Sequence, residues 1–155
     1  MLFRSVSRLR EENRAVVFLD GDELRARLFP DVGYSHDERL ALARQYSRLC
    51  ELLSAQGIDV VCATISLFPE IWSENRQRLP KYREILVRAP IEVRTRRRPE
   101  LYQRANGKPI GPVVGAELAA FEPTHPAALI ENDGARSAEE LIEQLLIKFA
   151  RLKDA

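Results

Sequence analysis

Val16-Val17-Phe18-Leu19-Asp20-Gly21-Asp22 is the stretch that decides the fold. Four apolar residues rich in β-formers read as a strand buried on both faces, because a half-exposed strand would alternate apolar with polar. The run stops in Asp-Gly-Asp, which can open a helix and leaves two carboxylates at the strand's carboxyl end. Ligands of open α/β sheets bind beyond those ends. The plain structural reading stays open beside it, with Asp22 simply capping a helix from Glu23 to Phe29.

Working outward, Asp59-Val60-Val61-Cys62-Ala63-Thr64-Ile65 reads as a second buried strand and Ile85-Leu86-Val87 as a third. Ala128-Leu129-Ile130-Glu131-Asn132 is the expected last strand. Between the first two, Leu40 to Gln56 carries apolar residues at Leu42, Leu49, Leu52 and Leu53, an amphipathic helix that Gly57 stops. Pro69 to Leu79 reads as a short helix closed by Pro80. Ser137-Ala138-Glu139-Glu140 has the capping-box form and opens a C-terminal helix to about Leu152. Strands alternating with helices predict an α/β fold, a parallel sheet flanked by helices. No repeat and no linker divides residues 1–155, so one domain is expected. Arg94 to Pro123 fits neither element type, with Arg94, Arg96, Arg97 and Arg98 followed by Gly107, Pro109, Gly111, Pro112 and Gly115. It reads as an irregular, lid-like loop able to meet an anion, or as a solvated charge run.

Composition narrows the function classes. Of 155 residues, 45% are hydrophobic and 30% charged, which is ordinary for a globular protein and wrong for a disordered one. A net charge of +1 makes no case for a nucleic-acid partner. Neither a signal peptide nor a run of roughly 18 apolar residues occurs, so no membrane partner and a cytoplasmic location are expected. Cys50 and Cys62 are too few for a disulfide framework or a zinc site and read as buried thiols. His36 and His125 read as surface residues.

Three chemical groups fall at strand ends: Asp20 with Asp22, Ser66, and the arginine-rich loop. Together they suit phosphoryl transfer. One carboxylate can hold Mg2+, the other can accept a proton from an attacking hydroxyl, and guanidiniums neutralise phosphate charge. Taken alone, Ser66 could equally be a helix cap.

The order of motifs resembles the adenylyl-sulfate kinases. Asp20-Gly21-Asp22-Glu23-Leu24-Arg25 is similar to that family's Asp-Gly-Asp-x-x-Arg, and Gly33-Tyr34-Ser35-His36-Asp37-Glu38-Arg39 to its Gly-Phe-Ser-x-x-Asp-Arg. Ile65-Ser66-Leu67-Phe68 resembles its Ile-Ser-Pro-Phe, with Arg76 downstream. Leu101-Tyr102-Gln103-Arg104-Ala105 resembles its Leu-Tyr-x-Lys-Ala, and Glu122-Pro123 with Pro126 its Glu-x-Pro-x-x-Pro. The resemblance implies a P-loop-kinase-like sheet and transfer of the ATP γ-phosphate to the ribose 3′-hydroxyl of adenylyl sulfate, the step that makes the activated sulfate donor.

It also implies roles. Asp20 would lie near Mg2+, and Asp22 would orient or deprotonate the acceptor hydroxyl. Arg25 and Arg39 would clamp the acceptor's sulfate and phosphate, with Tyr34 stacking on its adenine. Ile65 and Ser66 would touch the acceptor, Ser66 also matching a serine proposed to be phosphorylated in bacterial members. Leu101 and Tyr102 would lie on the acceptor side of the lid, Arg96 and Arg104 on the ATP side. A homodimer is expected from the family.

Some positions depart from the pattern. The family's asparagine after Asp-Arg falls on Leu42, its Arg-Asp-x-Lys-Gly reads Arg96-Arg97-Arg98-Pro99-Glu100, and its Phe-Thr-Gly reads Val113-Val114-Gly115. These bear on which hydroxyl is accepted. The family's first strand and its Gly-x-x-x-x-Gly-Lys-Ser/Thr loop, which holds the ATP phosphates, have no counterpart in residues 1–155. The chain as given is therefore expected to be truncated and inactive alone. The alternatives are a related kinase with another hydroxyl acceptor, or a loop-less, non-catalytic binding module.

Overall fold

The structure, a computed structural model, describes residues 2–11, 14–66, 68–99 and 121–153. The chain packs as two compact units, residues 1–82 and 83–155.

The first unit runs α1 (Leu2–Glu11), β1 (Val16–Asp20), α2 (Gly21–Leu28), α3 (His36–Ser54), β2 (Asp59–Ala63) and α4 (Pro69–Arg78). β1 and β2 pair in parallel, Val16 opposite Asp59 through Asp20 opposite Ala63. That register brings Asp20 level with the end of β2, just before Thr64-Ile65-Ser66. Val16 and Leu19 are buried, whereas β2 is only half-buried along Val60–Ala63. Val17, Phe18 and the length of β2 are more open than the buried strands expected. The sheet has two strands among the described residues, so each strand keeps one edge unpaired within it.

Helix α3 supplies the face that covers this sheet. Leu42, Ala43 and Tyr46 are its buried residues, at the i, i+1, i+4 spacing of one helical stripe. The helix begins at His36, four residues earlier than its apolar periodicity suggests, because Ser35 and Glu38 form a complete capping box. It ends where expected. Gly57 takes a φ of +78°, and Ile58 N–H returns to Leu53 O at 3.3 Å. Arg44–Glu74 and Arg78–Glu51 ion pairs link α3 to α4 at the surface. Exposed pairs of this kind contribute little to stability.

The second unit holds β3 (Ile85–Arg88), α5 (Ile91–Arg97), β4 (Ala128–Glu131) and α6 (Ala138–Lys153). β3 and β4 are parallel, Ile85 opposite Ala128 through Arg88 opposite Glu131. The core of this unit is Leu86, Val93, Ala128, Ile130, Leu141, Ile142 and Leu145, with Ile130 and Leu145 each 1% exposed. Fully burying such a side chain stabilises by about 1.5–3 kcal/mol. The capping box read at Ser137 is present: Ser137 N–H donates to Glu140 Oε2 at 2.7 Å, and Glu140 N–H to Ser137 Oγ at 3.2 Å.

Two further boundaries move. Arg94, Arg96 and Arg97, assigned from sequence to an irregular loop, form the end of α5, where Val93 alone is buried and too little apolar period exists to mark a helix. Thr64 and Ile65 lie beyond β2 rather than in it. Cys50 and Cys62 are free and half-buried, rather than buried. His36 and His125 are exposed. No helix of the described residues is long and apolar enough to cross a membrane.

Candidate active site

The Asp-Gly-Asp turn is built by its first aspartate. Asp20 Oδ1 accepts the N–H of Asp22 at 2.9 Å and of Glu23 at 3.3 Å, which makes Asp20 the N-cap of α2. Asp22 therefore does not cap the helix. It sits exposed in the first turn, where the helix dipole favours a carboxylate. The cap uses Asp20 Oδ1 and leaves Oδ2 outside it.

One turn further along α2, Arg25 reaches back over the loop that follows. Its Nη1 donates to Val32 O at 2.7 Å and to Gly33 O at 2.8 Å. The guanidinium lies 4.3 Å from the centre of the Tyr34 ring, and that of Arg39 lies 5.2 Å from the same ring. Arg39 Nε also donates to Tyr34 O at 2.9 Å. Two cations thus approach one aromatic ring, a cation–π arrangement worth about 0.5–1 kcal/mol per contact where exposed. Tyr34 is still 52% exposed. Burial and the nearby Arg25 charge both lower the Arg39 pKa. An anion between the two guanidiniums would relieve that repulsion.

Glu38 shapes the rest of the loop, a role the sequence reading did not assign. Its carboxylate accepts Gly33 N–H at 3.1 Å, Ser35 N–H at 3.0 Å and Ser35 Oγ–H at 2.6 Å. These bonds, the Ser35 hydroxyl first, hold the Glu38 carboxyl below its usual value. The signal for it was the Ser-x-x-Glu spacing at Ser35. A Cβ on Gly33 would come within 2.5 Å of the Glu38 carboxylate, so a side chain there would displace that carboxylate.

Asp22, Arg25, Ala26, Pro30, Val32 and Tyr34 line an open hollow of about 330 Å³. The structure therefore gathers Asp22, Arg25 and Tyr34 into one hollow, with Arg39 against Tyr34. Ile65 and Ser66 follow β2 separately. Ile65 is 68% exposed, and the Ser66 carbonyl accepts the Trp72 indole N–H at 3.0 Å. Ser66 is not a helix cap: Phe68 occupies that position before α4, without a side-chain bond. His36 stacks edge-on against Phe68, ring centres 5.4 Å apart. Leu42 is a core residue, 5% exposed.

Arg96 belongs to the second unit. There a Cβ on Gly134 would stand 3.6 Å from Arg96 Nη2 and 3.7 Å from Arg97 Nη2, and Arg97 Nη1 donates to Asn132 Oδ1 at 3.0 Å. Both guanidiniums border the loop after β4. Leu101, Tyr102 and Arg104 lie outside the described residues.

Among the described residues no cluster of three or more His, Cys, Asp or Glu side chains could hold a metal by itself. Mg2+ does not need one. It is commonly held by one or two carboxylates together with substrate phosphates and water, and the Asp20 carboxylate fits that donor set.

Known proteins match this arrangement along most of the chain. The adenylylsulphate kinase family profile matches residues 3–131. A cytidine diphosphoramidate kinase of Campylobacter jejuni is 31% identical over 144 residues, 92% of this chain and 84% of that one. An adenylyl-sulfate kinase of Picosynechococcus is 34% identical over 146 residues, 94% of this chain and 82% of that one. The APS kinase of Mycobacterium tuberculosis, solved with AMPPNP and APS, superposes with a TM-score of 0.84 at 26% identity, covering 96% of this chain and 88% of that one. With its parallel strands flanked by helices and its motifs in order, the chain belongs to the adenylylsulphate kinase family of phosphotransferases.

Proposed function

We propose that this protein transfers the γ-phosphate of ATP to the ribose 3′-hydroxyl of adenylyl sulfate. The observation that carries the reading is the hollow lined by Asp22, Arg25 and Tyr34, with the Arg25 and Arg39 guanidiniums close to the Tyr34 ring. Each part has a chemical task. Tyr34 offers a face on which a base stacks, worth about 1–3 kcal/mol. Arg25 and Arg39 offer planar donors to the sulfate and phosphate oxygens, and the anion relieves their mutual repulsion.

Asp22 is exposed in the first turn of α2, and its carboxylate would accept the acceptor's proton. The acceptor oxygen then bonds to the γ-phosphorus, the bond from that phosphorus to the β–γ bridging oxygen breaks, and ADP leaves with the electron pair. Asp20 is the residue that would hold Mg2+, which when bound would neutralise charge on the phosphate oxygens. Arg96 and Arg104 are assigned to the ATP phosphates, and Leu101, Tyr102, Ile65 and Ser66 to the acceptor. Assembly as a homodimer is proposed from the family, and light scattering tests it.

A second reading keeps the chemistry and changes the acceptor. Leu42, buried where the family has asparagine, has no polar group to offer, and a similar kinase acts on cytidine diphosphoramidate. The two readings separate in one assay. Phosphate transfer from ATP is measured to adenylyl sulfate and to cytidine diphosphoramidate, on residues 1–155, which contain no Gly-Lys-Ser/Thr loop, and on any longer product of the gene. Preference for adenylyl sulfate supports the first reading, and preference for the cytidine compound the second. Acceptor binding with no turnover in either form would leave a binding module.

A further inference from the structure

Helix α3 buries a tyrosine whose hydroxyl points away from the core's apolar work. Tyr46 is 7% exposed, and its Oη donates to the carbonyl of Gly21 at 2.9 Å, across 25 residues of sequence. Its ring meets Phe29 edge-on at 6.2 Å between centres. A phenylalanine would fill the same volume, so the hydroxyl's contribution is the bond to Gly21.

Gly21 is the middle of the Asp-Gly-Asp turn, and it is pressed against the end of β2. A Cβ there would stand 3.0 Å from Thr64 Cγ2 and 3.1 Å from Ala63 O, tighter than ordinary side-chain contacts allow. The turn is therefore held from two sides, by the strand end and by the tyrosine hydroxyl. The Asp20 cap fixes its remaining amides. The direction in which Asp22 leaves α2 follows from how Gly21 is seated.

We infer that Tyr46 is a positioning residue for Asp22: by bonding the Gly21 carbonyl while the Cα of Gly21 abuts the end of β2, its hydroxyl aims the Asp22 carboxylate at the acceptor hydroxyl. The inference rests on the reading of Asp22 given above. Burial raises the Tyr46 pKa, so the hydroxyl keeps its proton and remains a donor at neutral pH. Tyr46 also couples α3 to α2, the helix that lines the hollow. α3 carries Arg39, which reaches Tyr34 O, and α2 carries Arg25, which reaches Val32 and Gly33. The Gly21 bond ties those helices at the turn itself.

The test is a double-mutant cycle in the full-length gene product, Tyr46→Phe against Asp22→Asn, with kcat and acceptor KM read separately. Tyr46→Phe is expected to lower kcat about 10-fold, with KM for the acceptor within about twofold, the mark of misplacement rather than lost binding. In the Asp22→Asn background it should lower kcat no further. Gly21→Ala should reproduce the kcat loss. Amide exchange at Asp22 and Glu23, read by NMR without reference to activity, should accelerate in Tyr46→Phe while α3 stays protected.

A full kcat in Tyr46→Phe, with Asp22→Asn impaired, overturns the inference and leaves the site reading standing. Penalties that multiply also overturn it, since Tyr46 would then act elsewhere. Exchange raised along all of α3 with kcat unchanged would mark a packing role only. A full rate in Asp22→Asn would remove the site reading, and the Tyr46 role with it.

Discussion

Arg25→Lys isolates what the guanidinium does for the loop after α2. In the structure one nitrogen of Arg25 serves two carbonyls, Val32 O at 2.7 Å and Gly33 O at 2.8 Å, while the central carbon of the group lies 4.3 Å from the Tyr34 ring centre. Hydrogen bonds from a charged donor contribute about 1.5–3 kcal/mol each when buried. The residue is half-buried, so the low end applies. Lysine keeps the charge and, with its different reach, can keep one of the two bonds, but it loses the guanidinium over the ring. Losing one bond and one exposed cation–π contact of about 0.5–1 kcal/mol gives roughly 2 kcal/mol in all. A chain of this size should then melt about 4–8 °C lower. If the loop seats the acceptor's base, acceptor KM should rise by about 30-fold with kcat nearly unchanged, at 1.4 kcal/mol per factor of ten. Differential scanning fluorimetry and steady-state kinetics read both quantities. A melting temperature within about 1 °C of the parent, with KM unmoved, would refute the claim that Arg25 organises this loop.

Other outcomes follow from the same coordinates. Leu42→Asn places an amide in the core of the first unit and should destabilise by about 2–4 kcal/mol, read by urea unfolding, without improving the rate on adenylyl sulfate. Ile130→Ala, at a residue 1% exposed, should cost about 2–5 kcal/mol in the same assay. Glu38 and Glu140 both have carboxyls held below their ordinary value, chiefly by bonds from Ser35 and Ser137. A depressed folded-state pKa gives stability that is complete above the unfolded value and lost as pH falls through the lowered one. Acid titration of stability should therefore be shallower in Glu38→Gln than in the parent, and an unchanged slope would exclude Glu38 from that loss. Gly33→Ala should displace the Glu38 carboxylate from its loop and mimic Glu38→Gln in melting temperature.

How far the sequence foretold this can be judged residue by residue. Strands were legible as short apolar runs, and α6 was legible because Ser137-x-x-Glu140 is followed by strong apolar periodicity. The same signature at Ser35-x-x-Glu38 was passed over, because the first turn of α3 is polar and its buried stripe begins only at Leu42. Helix α5 was missed for a related reason: seven residues with one buried position carry no readable period. At the Asp-Gly-Asp turn the motif was evident, but which aspartate caps depends on backbone dihedrals. Asp20 has the extended conformation of a cap, and Asp22 is already helical.

The stack of Arg25, Tyr34 and Arg39 was legible as a set of residue types and not as a contact, since nothing in the spacing fixes the loop between α2 and α3. That loop is set by Glu38, whose bonds run to backbone amides invisible to any residue pattern. Tyr46 reads in sequence only as one more residue on a helix face. Its partner is a carbonyl 25 positions away, brought there by the packing of α3 on β2.

The most direct test of the central claim is the ATP-dependent phosphorylation of adenylyl sulfate by the full-length gene product, with Asp22→Asn as its partner measurement. The account expects a product phosphorylated on the ribose 3′-hydroxyl, and a fall in kcat of about 10²–10⁴-fold in Asp22→Asn with the fold intact by circular dichroism. Turnover of adenylyl sulfate that is unaffected by Asp22→Asn would contradict it.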